Sequence, residues 1–225
     1  MKFKFGVWVF ISLSLSVRSN AADLVISGIY DGPLDRGNPK GVELFANNAI
    51  ADLSLYGLGS AQNGGGTDGQ EFTFPSVSVT AGSYLYVTYE APLFTDFFGF
   101  APSFTSGSMN INGDDAIELF FNGTAIDCYG VISVDGTGQS WEYTGGWAYA
   151  ASTHQSTLIF NPGDWIYSGI DGFGSALHNS DLGIAAMPIG TYSPVPEPAS
   201  AALGIGVLIL SRCLMSYKRT KGRLS

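Results

Sequence analysis

The chain has 225 residues, with 19 Asp and Glu against 10 Lys and Arg, a formal net charge of −9, 2 Cys and 2 His. The cations crowd the two ends: between Ala22 and Ser193 only Arg36 and Lys40 face 18 carboxylates, a net of −16. This imbalance excludes a body built to grip nucleic acid, since a polyanion would meet two cations, and two cysteines exclude a disulfide-stapled scaffold.

The first segment has the three parts of a secretory signal: basic Lys2 and Lys4, an apolar core over 5–17, and small residues at Ser19 and Ala21. Cleavage is expected after Ala21, because the apolar core is too short for a retained anchor. The 172 residues of 22–193 suffice for one well-buried domain. Runs rich in Val, Ile, Phe and Tyr, broken about every eight to twelve residues by Gly, Asn, Asp or Pro, predict an all-β sandwich or barrel. Strands are expected at 24–26, 42–45, 53–58, 72–74, 84–89, 116–121 and 125–129. In the fifth, Leu85, Val87 and Tyr89 share one face, and Tyr84, Tyr86 and Thr88 the other. One short helix is expected over 91–98. Asn122-Gly123 stands between two apolar runs and accepts the positive φ angles of a two-residue type I′ turn, which makes 116–129 a β-hairpin. After Ala150 only "NPGDWIYSG" suggests a further strand, and the rest reads as loop.

Candidate chemistry is thin. His154 and His178 have no ligand-spaced partner and no nucleophile context, and both read as ordinary loop residues. The Gly-rich "QNGGGTDG" loop lacks the Lys of a phosphate cradle and carries Asp68, so it reads as a flexible connection. Asn112, Asp114 and Asp115, with Asp127 or Asp135 nearby in space, are candidate oxygen ligands for calcium. Their stretch does not match the EF-hand loop, and Asn-Gly-Asp-Asp is also good turn chemistry. Glu43 and Glu118 sit mid-strand among apolar residues, where a solvated sheet face accounts for them and a paired functional carboxylate is the alternative. Trp141, Tyr143, Trp147 and Tyr149 suit core packing first and sugar stacking second. Cys128, in a strand, is expected as a buried thiol remote from Cys213.

The tail reverses the charge of the body. Its apolar run of 199–210 extends to 217, about 28 Å of helix at about 1.5 Å per residue, enough to span a bilayer core. Arg212 snorkels to the interface, and Lys218, Arg219, Lys221 and Arg223 mark the cytoplasmic side, so the acidic body faces out.

Two resemblances follow from these residues. "LVISGIYDG", "KGVELFA", "ADLSLYGLGS", "FTFPSVSVTAGSYLYVT" and "NGDDAIELFFNGTAIDCYG", taken in order, resemble a lamin tail domain, with the family's recurring pieces at Glu43, Asp52 to Leu58, Ala81 to Leu85 and Gly123 to Asp127. That resemblance implies an immunoglobulin-like β-sandwich without catalytic function. Val195-Pro196-Glu197-Pro198, then the apolar run and basic tail, resembles the PEP-CTERM sorting signal of Gram-negative bacteria. It implies recognition of Pro196, Glu197 and Pro198 by a membrane-embedded exosortase, tethering at the inner membrane during sorting, and delivery to the cell surface or beyond. The expected organisation is a signal peptide over 1–21, the lamin-tail-like domain over 22–150, its extension and linker over 151–193, and the sorting signal over 194–225. The expected function is that of a non-enzymatic surface or matrix-associated protein, in contact with extracellular polysaccharide. The alternatives are a calcium-dependent carbohydrate-binding module using the Asp114-Asp115 loop and the Trp141 to Trp147 aromatics, and a secreted hydrolase using His154 or His178.

Overall fold

A computed structural model describes residues 22–195. The signal peptide, Pro196-Glu197-Pro198, the apolar tail segment and the basic residues from Arg212 to Arg223 lie outside the described residues. No helix among those described is long and apolar enough to cross a membrane.

Strands β1 (Leu24–Leu34), β2 (Asn38–Ala46), β3 (Tyr56–Ala61), β4 (Phe72–Thr73), β5 (Tyr84–Thr88), β6 (Phe104–Thr105), β7 (Ala116–Phe121), β8 (Thr124–Tyr129), β9 (Trp147–Ala150) and β10 (Trp165–Tyr167) form two sheets. The larger runs β10-β9-β1-β2-β5-β6 and the smaller β4-β3-β7-β8. All pairings are antiparallel except β5 with β6. Buried side chains of both sheets belong to one apolar cluster.

Local chemistry sets several of these elements as the sequence predicts. Asn122 and Gly123 both take positive φ, 50° and 72°, closing the β7–β8 hairpin. Helix α1 (Ala91–Phe98) starts where the Glu90 carboxylate caps the Leu93 amide and stops at Gly99 in the left-handed region. Elsewhere the structure differs. β1 has eleven residues rather than three, the stretch Leu53–Leu55 is a 3-10 turn rather than strand, and β6 and β9 are additional strands.

The pairing register explains what each face does. Val42 and Leu44 pair with Val87 and Leu85 and project into the core. Glu43 pairs with Tyr86 and Gly28, and Gly28 with Tyr149, so these project to the opposite face. That second face is also covered. Phe94 and Phe98 of α1 lie on Tyr30, Phe94 and Phe100 on Tyr86, and Tyr192 on Phe45. Residues 151–195 thus return to the larger sheet, where Met187 approaches Gly28. The smaller sheet is treated likewise: the Gly69 carbonyl lies where a Cβ on Gly59 would stand, so only glycine lets the 62–71 loop rest on that face. This loop is tied down by amide bonds from Asn63 to Asp115 and from Gly66 to Ile132, in place of the free connection its glycines predict.

Candidate functional site

Three buried polar groups stand out in the apolar interior, and each begins with a strand residue. The first is Glu43, fully buried rather than on a solvated face, because the C-terminal segment covers its side of the sheet. Ser27, which occupies a β-bulge in β1, donates its hydroxyl to Oε1 at 2.7 Å, and Tyr149 Oη donates to the same oxygen at 2.8 Å. The Gly190 amide donates to Oε2 at 2.6 Å. Tyr149 Oη in turn accepts from the amides of Thr191 and Tyr192. Burial pushes the Glu43 carboxyl up, against the pull of these donors. Chemically the arrangement is a clamp that fixes residues 190–192 to the sheet, with no room for a substrate at either oxygen.

The second group surrounds Lys40. Its ammonium donates to Asn112 Oδ1 at 3.0 Å and stands 3.8 Å from Asp31 Oδ1, with both charged side chains about nine-tenths buried. Asp31 Oδ2 accepts from the Gly145 amide, while Asp115 accepts from the amides of Asn63 and Asn112. Burial raises both carboxyls. Asp114 is spent differently, accepting the Thr137 hydroxyl. Asn112, Asp114 and Asp115, proposed from sequence as calcium ligands, therefore lie close in the chain but direct their oxygens at different partners: Lys40, Thr137, and the amides of Asn63 and Asn112 respectively. Asp135 accepts the Thr137 amide nearby, whereas Asp127 belongs to a separate group. Among the described residues no group of three or more His, Cys, Asp and Glu is placed to hold a metal ion. The cation that this loop does contact is the protein's own ammonium.

The third group is centred on Asp127 of β8. Its Oδ2 accepts the Ile26 amide, and its Oδ1 accepts the amides of Cys128 and Thr157. One carboxylate thereby ties a strand of each sheet to the loop after β9. His154 stands beside it, Nε2 3.7 Å from Oδ2, its ring on Trp165 with centroids 5.0 Å apart. The histidine is 3 % exposed, so it is a core residue rather than the loop residue its surroundings in sequence suggest. Cys128 is buried as expected. Burial, then Asp127 and Glu118, push its thiol up to about 12, and the protonated sulfur faces the Thr157 carbonyl at 3.5 Å. Such a thiol is no nucleophile near neutral pH.

The remaining candidates separate in space. His178 is on the surface, its Nδ1 against the Asp96 carbonyl at 2.8 Å. Glu118 is also sealed in, 4 % exposed between Gly59 and Cys128, because the 62–71 loop covers that face. Trp141, Tyr143, Trp147 and Tyr149 are all at most 6 % exposed and present no ring face to a sugar. Sequence reasoning missed Asp31, Lys40, Ser27 and Gly190. Lys40 carried the one available signal, a lone lysine in an apolar strand of an acidic body. No protein family, no curated protein and no solved structure matches the chain.

Proposed function

We propose that the chain is an exported, non-enzymatic surface or matrix-associated protein: an immunoglobulin-like, lamin-tail-like β-sandwich carried to the membrane and sorted by an exosortase through Pro196, Glu197 and Pro198. The charge map carries this reading. Cations occur outside a body of net −16, and inside it the two exceptions are used internally or locally: Lys40 is buried with Asn112 and Asp31, and Arg36 lies 3.8 Å from Asp35. Such a surface is self-repelling and soluble among extracellular polymers and repels nucleic acid. The lamin-tail reading draws support from two sheets closing over one core cluster. The non-enzymatic reading draws support from the state of the reactive groups: a core histidine, a protonated thiol and a carboxylate filled by three donors.

The test is expression in host cells with and without the exosortase. Mass spectrometry is expected to find a mature N-terminus at Ala22 in both, and a chain shortened near Pro198 only where the enzyme is present. Glu197→Ala is expected to leave the chain unshortened in the inner membrane. An unshortened wild-type chain at the surface of enzyme-containing cells would sink the sorting reading. Co-sedimentation with the host's extracellular polysaccharide, in calcium and in chelator, separates a calcium-dependent lectin from the matrix protein proposed here, whose association is expected to be calcium-independent.

A further inference from the structure

The pairing register brings both ends of the described body to the same end of the larger sheet. Leu24 pairs with Ala46, and the Asn47 side chain donates to the Ala22 carbonyl at 2.8 Å. β9 runs antiparallel to β1 with Tyr149 opposite Gly28, so the loop beyond Ala150 emerges on the side where β1 begins. The Val195 amide donates to the Ser152 carbonyl at 2.9 Å, and the Tyr192 hydroxyl to that of His154 at 3.0 Å. Further along the same loop, Thr157 is held by the Asp127 carboxylate that also holds Ile26. Immediately after it come Leu158 and Ile159, 57 % and 83 % exposed, and Val195 is 59 % exposed.

Two features of the sequence bear on what meets this surface. Residues 143–163 form the longest stretch of the acidic body without Asp, Glu, Lys or Arg, 21 residues between Glu142 and Asp164. The apolar tail run begins at Ala199, four residues after Val195, a span of at most about 14 Å of extended chain. A body of this length has a radius of gyration of about 16 Å. Four residues cannot hold it clear of whatever surface the tail enters.

We propose that this end of the body rests on the lipid surface, with Leu158 and Ile159 of the β9–β10 loop seated at the headgroup boundary. The inference rests on the reading of residues 199–217 as a membrane segment. Two adjacent apolar side chains in the uncharged 151–163 part of this loop enter that boundary without a carboxylate beside them in the chain. Of the carboxylates at this end, Asp127 is buried in its own bonds, Asp164 closes the loop at its base, where its carbonyl accepts the Ala151 amide, and Asp23 precedes β1 and accepts from Asn48.

The experiment uses the full chain with Cys213→Ser, purified from membranes of expressing cells and reconstituted in phosphatidylethanolamine–phosphatidylglycerol vesicles. A single environment-sensitive dye is placed at Ile159→Cys or, as a control, at Ile170→Cys. Ile170 is also more than half exposed, but it stands at the opposite end of the sheet, where the Asp171 amide bonds Thr144. Lipids spin-labelled near the headgroup are expected to quench the dye at 159 about two-fold or more above that at 170. Equal quenching at both positions, with the chain floating with the vesicles after an alkaline wash, overturns the inference and leaves the tether intact. A chain that the wash removes from the vesicles overturns the tether, and the inference with it.

Discussion

A carboxylate sealed between a sheet and its cover persists only if its oxygens are filled, and Glu43 fills both from three donors. Glu43→Ala strands the Ser27 and Tyr149 hydroxyls and the Gly190 amide, at a cost of about 3 kcal/mol, which calorimetry reads as a Tm lower by about 6–12 °C. The pH dependence runs opposite to ordinary acid denaturation. Burial lifts Glu43 above its usual 4.5, so the native state binds the proton more tightly than the unfolded chain does. Its stabilising contribution is full below about 4.5 and declines as pH rises through the lifted value. Tm is therefore expected to be higher near pH 5 than near pH 8, with a shallower slope in Glu43→Gln. Asp31 and Asp115 are raised too and keep part of the slope, while Asp52 and Asp135, lowered by their own turn bonds, change stability only below about 3.8 and leave this interval untouched. A slope untouched by Glu43→Gln would assign the effect to other groups. Cys128 gives an independent check on burial: with Cys213→Ser, a thiol reagent at pH about 8 is expected to find no reactive sulfur until denaturant is added.

Among the elements, residues 186–195 are held to the sheet by few but concentrated bonds. Tyr149 Oη makes three bonds at this junction: it accepts from Thr191 and Tyr192 and donates to Glu43, which itself holds the Gly190 amide. Tyr149→Phe keeps the ring and removes all three, so amide exchange at Thr191 and Tyr192 is expected to accelerate about ten-fold or more, while β7 and β8 amides stay protected. Uniform acceleration would mean that this segment unfolds only with the whole core. The same elements show what was legible in the sequence. The β7–β8 hairpin and α1 were readable because their signals are local: Asn-Gly at the turn, Glu90 and Gly99 at the helix ends. β1 was legible only over its first three residues, since Gly28, Asp31, Gly32 and Pro33 break the apolar run, and burial on both faces erases the alternation that marks a half-exposed strand. Glu43 and Glu118 seemed solvated for the same reason. What covers them arrives from Gly190 and from the 62–71 loop, and no pattern within β2 or β7 encodes that return. β9 lay inside a stretch whose aromatics suit a sugar platform as well as a core, and only burial separates the two.

Over the body of residues 22–193 the dominant long-range term is repulsion among carboxylates at a net of −16 with one exposed cation, Arg36, and one buried, Lys40. Monovalent salt shortens the screening length from about 30 Å at 0.01 M to about 8 Å at 0.15 M, and Tm is expected to rise over that interval. Divalent ions screen more strongly, and the identity of the ion then becomes informative. A calcium site in the 112–115 loop needs several free oxygens converging at about 2.3–2.6 Å. Here Asn112 Oδ1 already accepts from Lys40, Asp115 accepts two amides, and Asp114 accepts a hydroxyl. A calcium ion entering the loop would displace or face the Lys40 ammonium, a like charge in a poorly solvated place. Equal concentrations of calcium and magnesium chloride are therefore expected to shift Tm equally in the wild type. A calcium-specific excess that vanishes in Asp114→Asn would overturn this account. An excess appearing only in Lys40→Met would show instead that the internal ammonium occupies the position a metal would take.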